Sequence, residues 1–172
     1  MSESDNVSIT FRVDSRRIDQ LRIIASEQGM SLNLLVSHIL SSYVEWESIA
    51  PKAGLAIIQK DVLKAFIDQA DDESLKKTAI EAADSFLEIL LLMTGKKDID
   101  AVLFVIQSKF KRSGFVIRTF EDSDGTRILV QHDMGRKLST FFKIYIERLI
   151  NDVGSPVKIE TTDRSLMLKI PK

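Results

Sequence analysis

The stretch NVSITFRVDSRR, residues 6–17, decides how the chain is read. Val7, Ile9, Phe11 and Val13 alternate with Ser8, Thr10 and Arg12, the period that puts one set on each face of a strand. Behind it the pattern turns helical, and no second strand is expected for about a hundred residues. A strand with one apolar face and no neighbour in its own chain leaves a row of backbone donors and acceptors unpaired. Its partner has to come from outside that chain.

Working outward, Asp14 is placed to cap a helix from about Ser15 to Gln28, with Ile18, Leu21, Ile24 and Ala25 forming an apolar stripe. Gly29 is positioned to end that helix in the left-handed conformation. Ser31 then caps a second helix, expected over 32–47, whose apolar residues include Leu32, Leu35, Val36, Ile39 and Leu40. Pro51 and Gly54 mark a linker over 49–56.

Composition bounds the rest. The chain has 172 residues, 44% of them apolar, as in globular proteins. It has no cysteine, which excludes a disulfide framework and Cys-ligated zinc and fits a reducing compartment. The opening MSESDN is polar and acidic, unlike a signal or transit peptide. The most apolar run, FLEILLLM at 86–93, is short and interrupted by Glu88, so no membrane span is expected. The expectation is a soluble, cytoplasmic protein with no membrane partner. Net charge is −1, but unevenly shared: residues 1–50 hold four Arg against seven Asp or Glu, while 51–172 hold 20 basic and 18 acidic residues.

Strand, helix, glycine and capped helix in this order resemble the ribbon-helix-helix family of the Arc, MetJ and CopG repressors. The resemblance covers residues 7–47 and rests on the alternating strand, Asp14, Leu21 and Ala25, and GMSLN at 29–33. It implies a homodimer whose two strands pair antiparallel and enter the major groove of double-stranded DNA, which admits such a ribbon. Arg12, Thr10 and Ser8 would then contact bases, Arg12 foremost because arginine bonds bidentately to guanine. Ser31, Leu32 and Asn33 at a helix N-terminus, with Arg16 and Arg17, would hold phosphate. Val7, Ile9, Phe11, Val13, Leu21, Leu35 and Ile39 would form the dimer core. A subunit of about 45 residues buries too little apolar surface alone, so the dimer also follows from size.

The second part reads as helices over about 58–70, 74–94 and 99–112, then a hairpin in which FVIRTFE and TRILVQH flank DSDG. A helix over 135–154 and one or two strands at PVKIETTDRSLMLKI complete it. In HDMGRK, 132–137, His132 and Asp133 can be read as metal ligands, or Asp133 as a helix cap with Arg136 and Lys137 solvated; the second reading is favoured, since the only other histidine is His38. DSDGT at 122–126 fails as a calcium loop because Arg127 occupies the glycine position. KFKR at 109–112 suits a helix C-terminus. No nucleophile with its base, P-loop or dinucleotide fingerprint is present. Residues 57–172 bear a faint similarity to uncharacterised helix-plus-sheet domains of archaeal proteins, which implies no activity.

The expectation is therefore an α+β chain: a flexible tail at 1–6, a ribbon-helix-helix domain at 7–48, a linker at 49–56, and an α+β domain at 57–172 that senses an effector or joins dimers into tetramers. It is read as a DNA-binding transcriptional regulator, a repressor, without catalytic residues, metal or cofactor; a small molecule or protein is the expected effector. The alternative is a protein-interaction module, antitoxin-like or a scaffold, that uses the N-terminal domain only to dimerise.

Overall fold

The computed structural model describes residues 7–154 and 156–171, apart from the side chain of Leu92; the tail expected at 1–6 lies outside them. Among the described residues the chain is α+β, with six α-helices and a four-stranded antiparallel sheet. It divides into two compact units, with the boundary between Lys52 and Ala53.

In the first unit, α1 spans Ser15–Glu27 and α2 spans Leu32–Ser42. Asp14 caps α1, its Oδ1 accepting from the Arg16 amide at 2.9 Å. Gly29 takes φ +66°, and the Met30 amide returns to the Ala25 carbonyl at 2.9 Å, closing the helix as a left-handed residue does. Ser31 caps α2 through Oγ, which accepts from the Leu34 amide at 3.2 Å. The helix expected as far as residue 47 loosens at Tyr43–Glu47 into a π turn, with the Ser48 amide reaching back five residues to Tyr43.

Residues 7–14 form no strand in the single chain. A ladder needs a neighbour, and none of the described strands belongs to this unit. The expected intersubunit ribbon therefore has no counterpart here, and its apolar residues stand in solvent: Val7 is 78% exposed, Ile9 66%, Phe11 57% and Val13 51%. Of the other residues expected in the dimer core, Leu35 is buried, Leu21 half-buried and Ile39 exposed.

The second unit begins with α3, Lys60–Gln69, α4, Asp72–Thr94, and α5, Ile99–Arg112. Their starts are set by chemistry visible in the sequence: Asp71 accepts from the Ser74 amide and Asp98 from the Ala101 amide, each at 2.8 Å. After Gly114 the period changes to two, and β1, Val116–Asp122, pairs with β2, Gly125–Gln131. Then come α6, Arg136–Asp152, β3, Lys158–Thr161, and β4, Ser165–Pro171, in the sheet order β1-β2-β4-β3.

Ile128, Val130, Ile159, Leu166 and Leu168 turn one sheet face inward, and α6 lies against β3 and β4 with Leu138, Phe142, Tyr145, Ile146, Leu149 and Ile150 buried. On α4, Ala79 and Ala83 let α6 approach closely, while Phe86 and Leu90 fill the space alongside. Each such side chain contributes about 1.5–3 kcal/mol when fully buried, so this unit carries its own core. The other sheet face, with Arg118, Phe120, Arg127, Leu129 and Met167, is left outside that core. At Gly125, φ is +141° and an added Cβ would stand 2.0 Å from the Ile170 carbonyl oxygen, so only glycine fits.

Candidate nucleic-acid interface

The residues expected to meet DNA all lie in the first unit. Ser8, Thr10 and Arg12 precede α1 and are exposed; Arg16 and Arg17 occupy its first turn and are exposed as well. Arg12, Arg16 and Arg17 use no side-chain nitrogen in a hydrogen bond or ion pair among the described residues, whereas Arg22 is held by Asp19 at 3.1 Å. Three cations are thus unengaged within or just after residues 7–14.

At α2, Ser31 covers the Leu34 amide with its Oγ and the Leu35 amide with its carbonyl. The amides of Leu32 and Asn33 belong to the first turn, where a helix has no internal partner to offer. Neither α1 nor α2 carries an acidic residue in its first turn, but the Asp14 cap puts a carboxylate at the start of α1, so it is the Ser31-capped start of α2 that suits an anion better. Glu45 and Glu47 sit in the π turn beyond the C-terminal end of α2, about 20 Å along the axis from Ser31. Part of the acidic excess of residues 1–50 is therefore placed away from this end.

In the second unit the features weighed as sites have structural work. His132 is buried: its Nδ1 accepts from the Met134 amide at 3.0 Å, which puts the proton on Nε2 facing Ser139 Oγ at 2.9 Å. Burial lowers its pKa below the ordinary 6.5, against a smaller upward pull from Asp133. Asp133 does not cap α6, as had been expected. It has φ +57°, and its carboxylate takes Arg164 Nε at 2.8 Å and Gln131 Nε2 at 3.1 Å, while Gly135 holds the cap position. Lys137, expected in solvent, donates to the carbonyls of Asp68 and Ala70 at 2.8 and 2.6 Å and so closes the end of α3. Among the described residues no group of three or more His, Cys, Asp or Glu is arranged to hold a metal ion.

Lys109 is far more enclosed than a basic run at a helix end implies. Its ammonium lies 5.1 Å from the centre of the Phe86 ring and 5.0 Å from that of Tyr145, with Tyr145 Oη at 3.5 Å. Burial lowers its pKa, and the same burial raises that of Tyr145. The signal was present: Lys109 follows Ile106 by three positions and Val102 by seven, on the buried stripe of α5. A cleft of about 450 Å³ opens at one end of the sheet, lined by Asp122, Asp124, Arg127, Lys158 and Lys169 among others. Its charges are mutually engaged: Arg127 meets Asp122 at 2.6 Å, and Lys169 meets Glu160 at 2.7 Å.

What fold and geometry define is an α+β protein with a small helical N-terminal unit and a sheet-containing second unit. No protein-family model matches the chain, and no curated protein matches it. Among the described residues no helix is long and apolar enough to cross a membrane.

Proposed function

We propose that the chain is a sequence-specific DNA-binding regulator that acts as a homodimer, its residues 7–13 pairing with those of a second copy to form a two-stranded ribbon. One observation carries this reading. Four alternating apolar side chains, Val7, Ile9, Phe11 and Val13, remain more than half exposed, beside helices whose Ala25 and Leu35 are already buried. A second copy is the occupant that covers the apolar face and completes the backbone ladder together. Pairing leaves Ser8, Thr10 and Arg12 on the opposite face, where a major groove admits them.

Phosphate would be held by the first-turn amides of α2 at Leu32 and Asn33 and, separately, by Arg16 and Arg17 at the start of α1. The test is selection of binding sites from random duplex with the purified chain, repeated with Arg12→Ala. A palindromic consensus should emerge for the parent. The substitution should cost roughly 1–3 kcal/mol per lost bidentate contact and erase preference at one position of each half-site. A consensus identical for both chains would refute Arg12 as reader.

The acidic balance of residues 1–50 favours a second reading, a protein-interaction module in which the ribbon only dimerises. Selection would then return no consensus although the chain is dimeric.

A further inference from the structure

The two edges of the sheet are treated differently. β3 is four residues long, follows Pro156 and carries Lys158 and Glu160, the usual protection of an edge against unwanted pairing. β1 is seven residues long and contains no lysine or proline; six of its seven residues are exposed, with Val116 at 50% and Phe120 at 41%. Beyond β2 it has no strand partner among the described residues.

We propose that the β1 edge is an interface for a second copy of this chain, the two strands pairing antiparallel about a two-fold axis at Phe120. The register follows from side-chain complementarity. Residues directly opposite across an antiparallel pair share a face and interact. Arg118, Phe120 and Asp122 share the outer face, since Ile117 and Thr119 pair with Val130 and Ile128, which are buried on the inner one. Centred on Phe120, the two rings meet and each Arg118 opposes Asp122 of the other copy. Centred on Arg118, like charges would meet. Centred on Glu121, two carboxylates would meet and Phe120 would face Asp122.

The partners are available. The Arg118 side chain makes no hydrogen bond or ion pair among the described residues. Asp122 gives Oδ2 to Arg127 at 2.6 Å and keeps Oδ1. Pairing joins two four-stranded sheets into one of eight through an isologous contact. The proposal rests on the second unit alone and stands whether or not the N-terminal ribbon forms.

The chain has no cysteine, so a single introduced thiol reports one position. In the full-length protein, Phe120→Cys should give a covalent dimer under mild oxidation, because opposite Cα atoms in a ladder lie about 4.5–5.5 Å apart, within disulfide reach. Val116→Cys should not, its two copies standing about 27 Å apart along the ribbon. Adding Arg118→Asp to Phe120→Cys should abolish the link by setting like charges opposite each other. In the unsubstituted chain, amide hydrogen exchange over 116–122 should slow as protein concentration rises. Equal linking at 116 and 120, linking that survives Arg118→Asp, or exchange over 116–122 independent of concentration would each overturn the proposal.

Discussion

Phe11→Ala tests the ribbon most sharply. Val7, Ile9, Phe11 and Val13 each leave between about half and three-quarters of their surface in water. With full burial of such side chains worth about 1.5–3 kcal/mol, roughly 1–2 kcal/mol per residue remains to be gained. Eight of them in a dimer amount to a gross gain on the order of 10 kcal/mol. Association itself costs about 4–15 kcal/mol, so the dimer is sustained by few residues to spare. Removing a core phenylalanine costs about 3–5 kcal/mol and acts twice by symmetry, enough to dissolve the pairing. Amide hydrogen exchange resolved by peptide reads this locally and ignores contacts made elsewhere. In the parent, residues 8–13 should be protected at high concentration and lose that protection over about a hundredfold dilution. In Phe11→Ala they should exchange freely at every concentration, with α4, α6 and the inner strands unchanged. Arg12→Ala should behave as the parent. Free exchange over 8–13 in the parent at all concentrations, or protection that survives Phe11→Ala, would refute the reasoning.

Three further outcomes concern the second unit. Gly125→Ala should destabilise it by at least about 2 kcal/mol, since φ +141° is strained for alanine and the Ile170 carbonyl lies in the path of the new Cβ; a chemical-denaturation midpoint equal to the parent's would contradict this. His132, with its pKa lowered by burial below 6.5, stays neutral when folded while the unfolded chain takes up a proton. The contribution is therefore full above about pH 6.5 and is lost as pH falls from there toward the lower folded-state value, and His132→Gln should flatten that part of a melting-temperature profile. Lys109→Met should raise the melting temperature at neutral pH, because an apolar chain removes the desolvation that lowers the lysine's pKa, and the ring contacts with Phe86 and Tyr145 only partly offset that cost; a drop of several degrees would mean the ammonium is a net stabiliser.

Local chemistry made the helices of the second unit legible. The helices expected over 74–94 and 99–112 correspond to α4 and α5, and the second coincides with α5 residue for residue. The change of period after Gly114 announced the hairpin, and the described turn lies within DSDG. Long-range partners were not legible. Asp133 looks like a cap in sequence, yet Arg164, thirty-one positions later, takes its carboxylate. Lys137 looks like a solvated cation, yet the open carbonyls at the end of α3 draw it in. The N-terminal alternation was legible as a pattern, but a ladder is a property of two strands, and a single chain supplies one. Candidate contact residues at 8, 10 and 12 are thus placed by periodicity, and the exposed apolar set beside them is what the single chain adds.

Charge then constrains how a regulator of this kind would hold DNA. Each first unit has four arginines against seven acidic residues, and Arg22 is already engaged by Asp19. With Arg12 committed to bases, Arg16 and Arg17 from two subunits supply at most four arginine–phosphate contacts, so binding through the N-terminal units alone should fall with salt no more steeply than a log–log slope of about 4. That is a modest non-specific term, and it shifts the burden to base contacts and to linkage between dimers. The β1 edge offers such linkage. If β1 joins subunits of different ribbon dimers, two isologous contacts alternate along the assembly, and the second ribbon reaches the duplex already tethered. Tethering of this sort raises avidity by about 10²–10⁴ without a new contact to DNA. Arg118→Asp should therefore weaken binding to a duplex with two half-site pairs by that factor and leave binding to a single pair as it was. Equal binding of parent and variant to both duplexes would separate the sheet edge from DNA binding altogether.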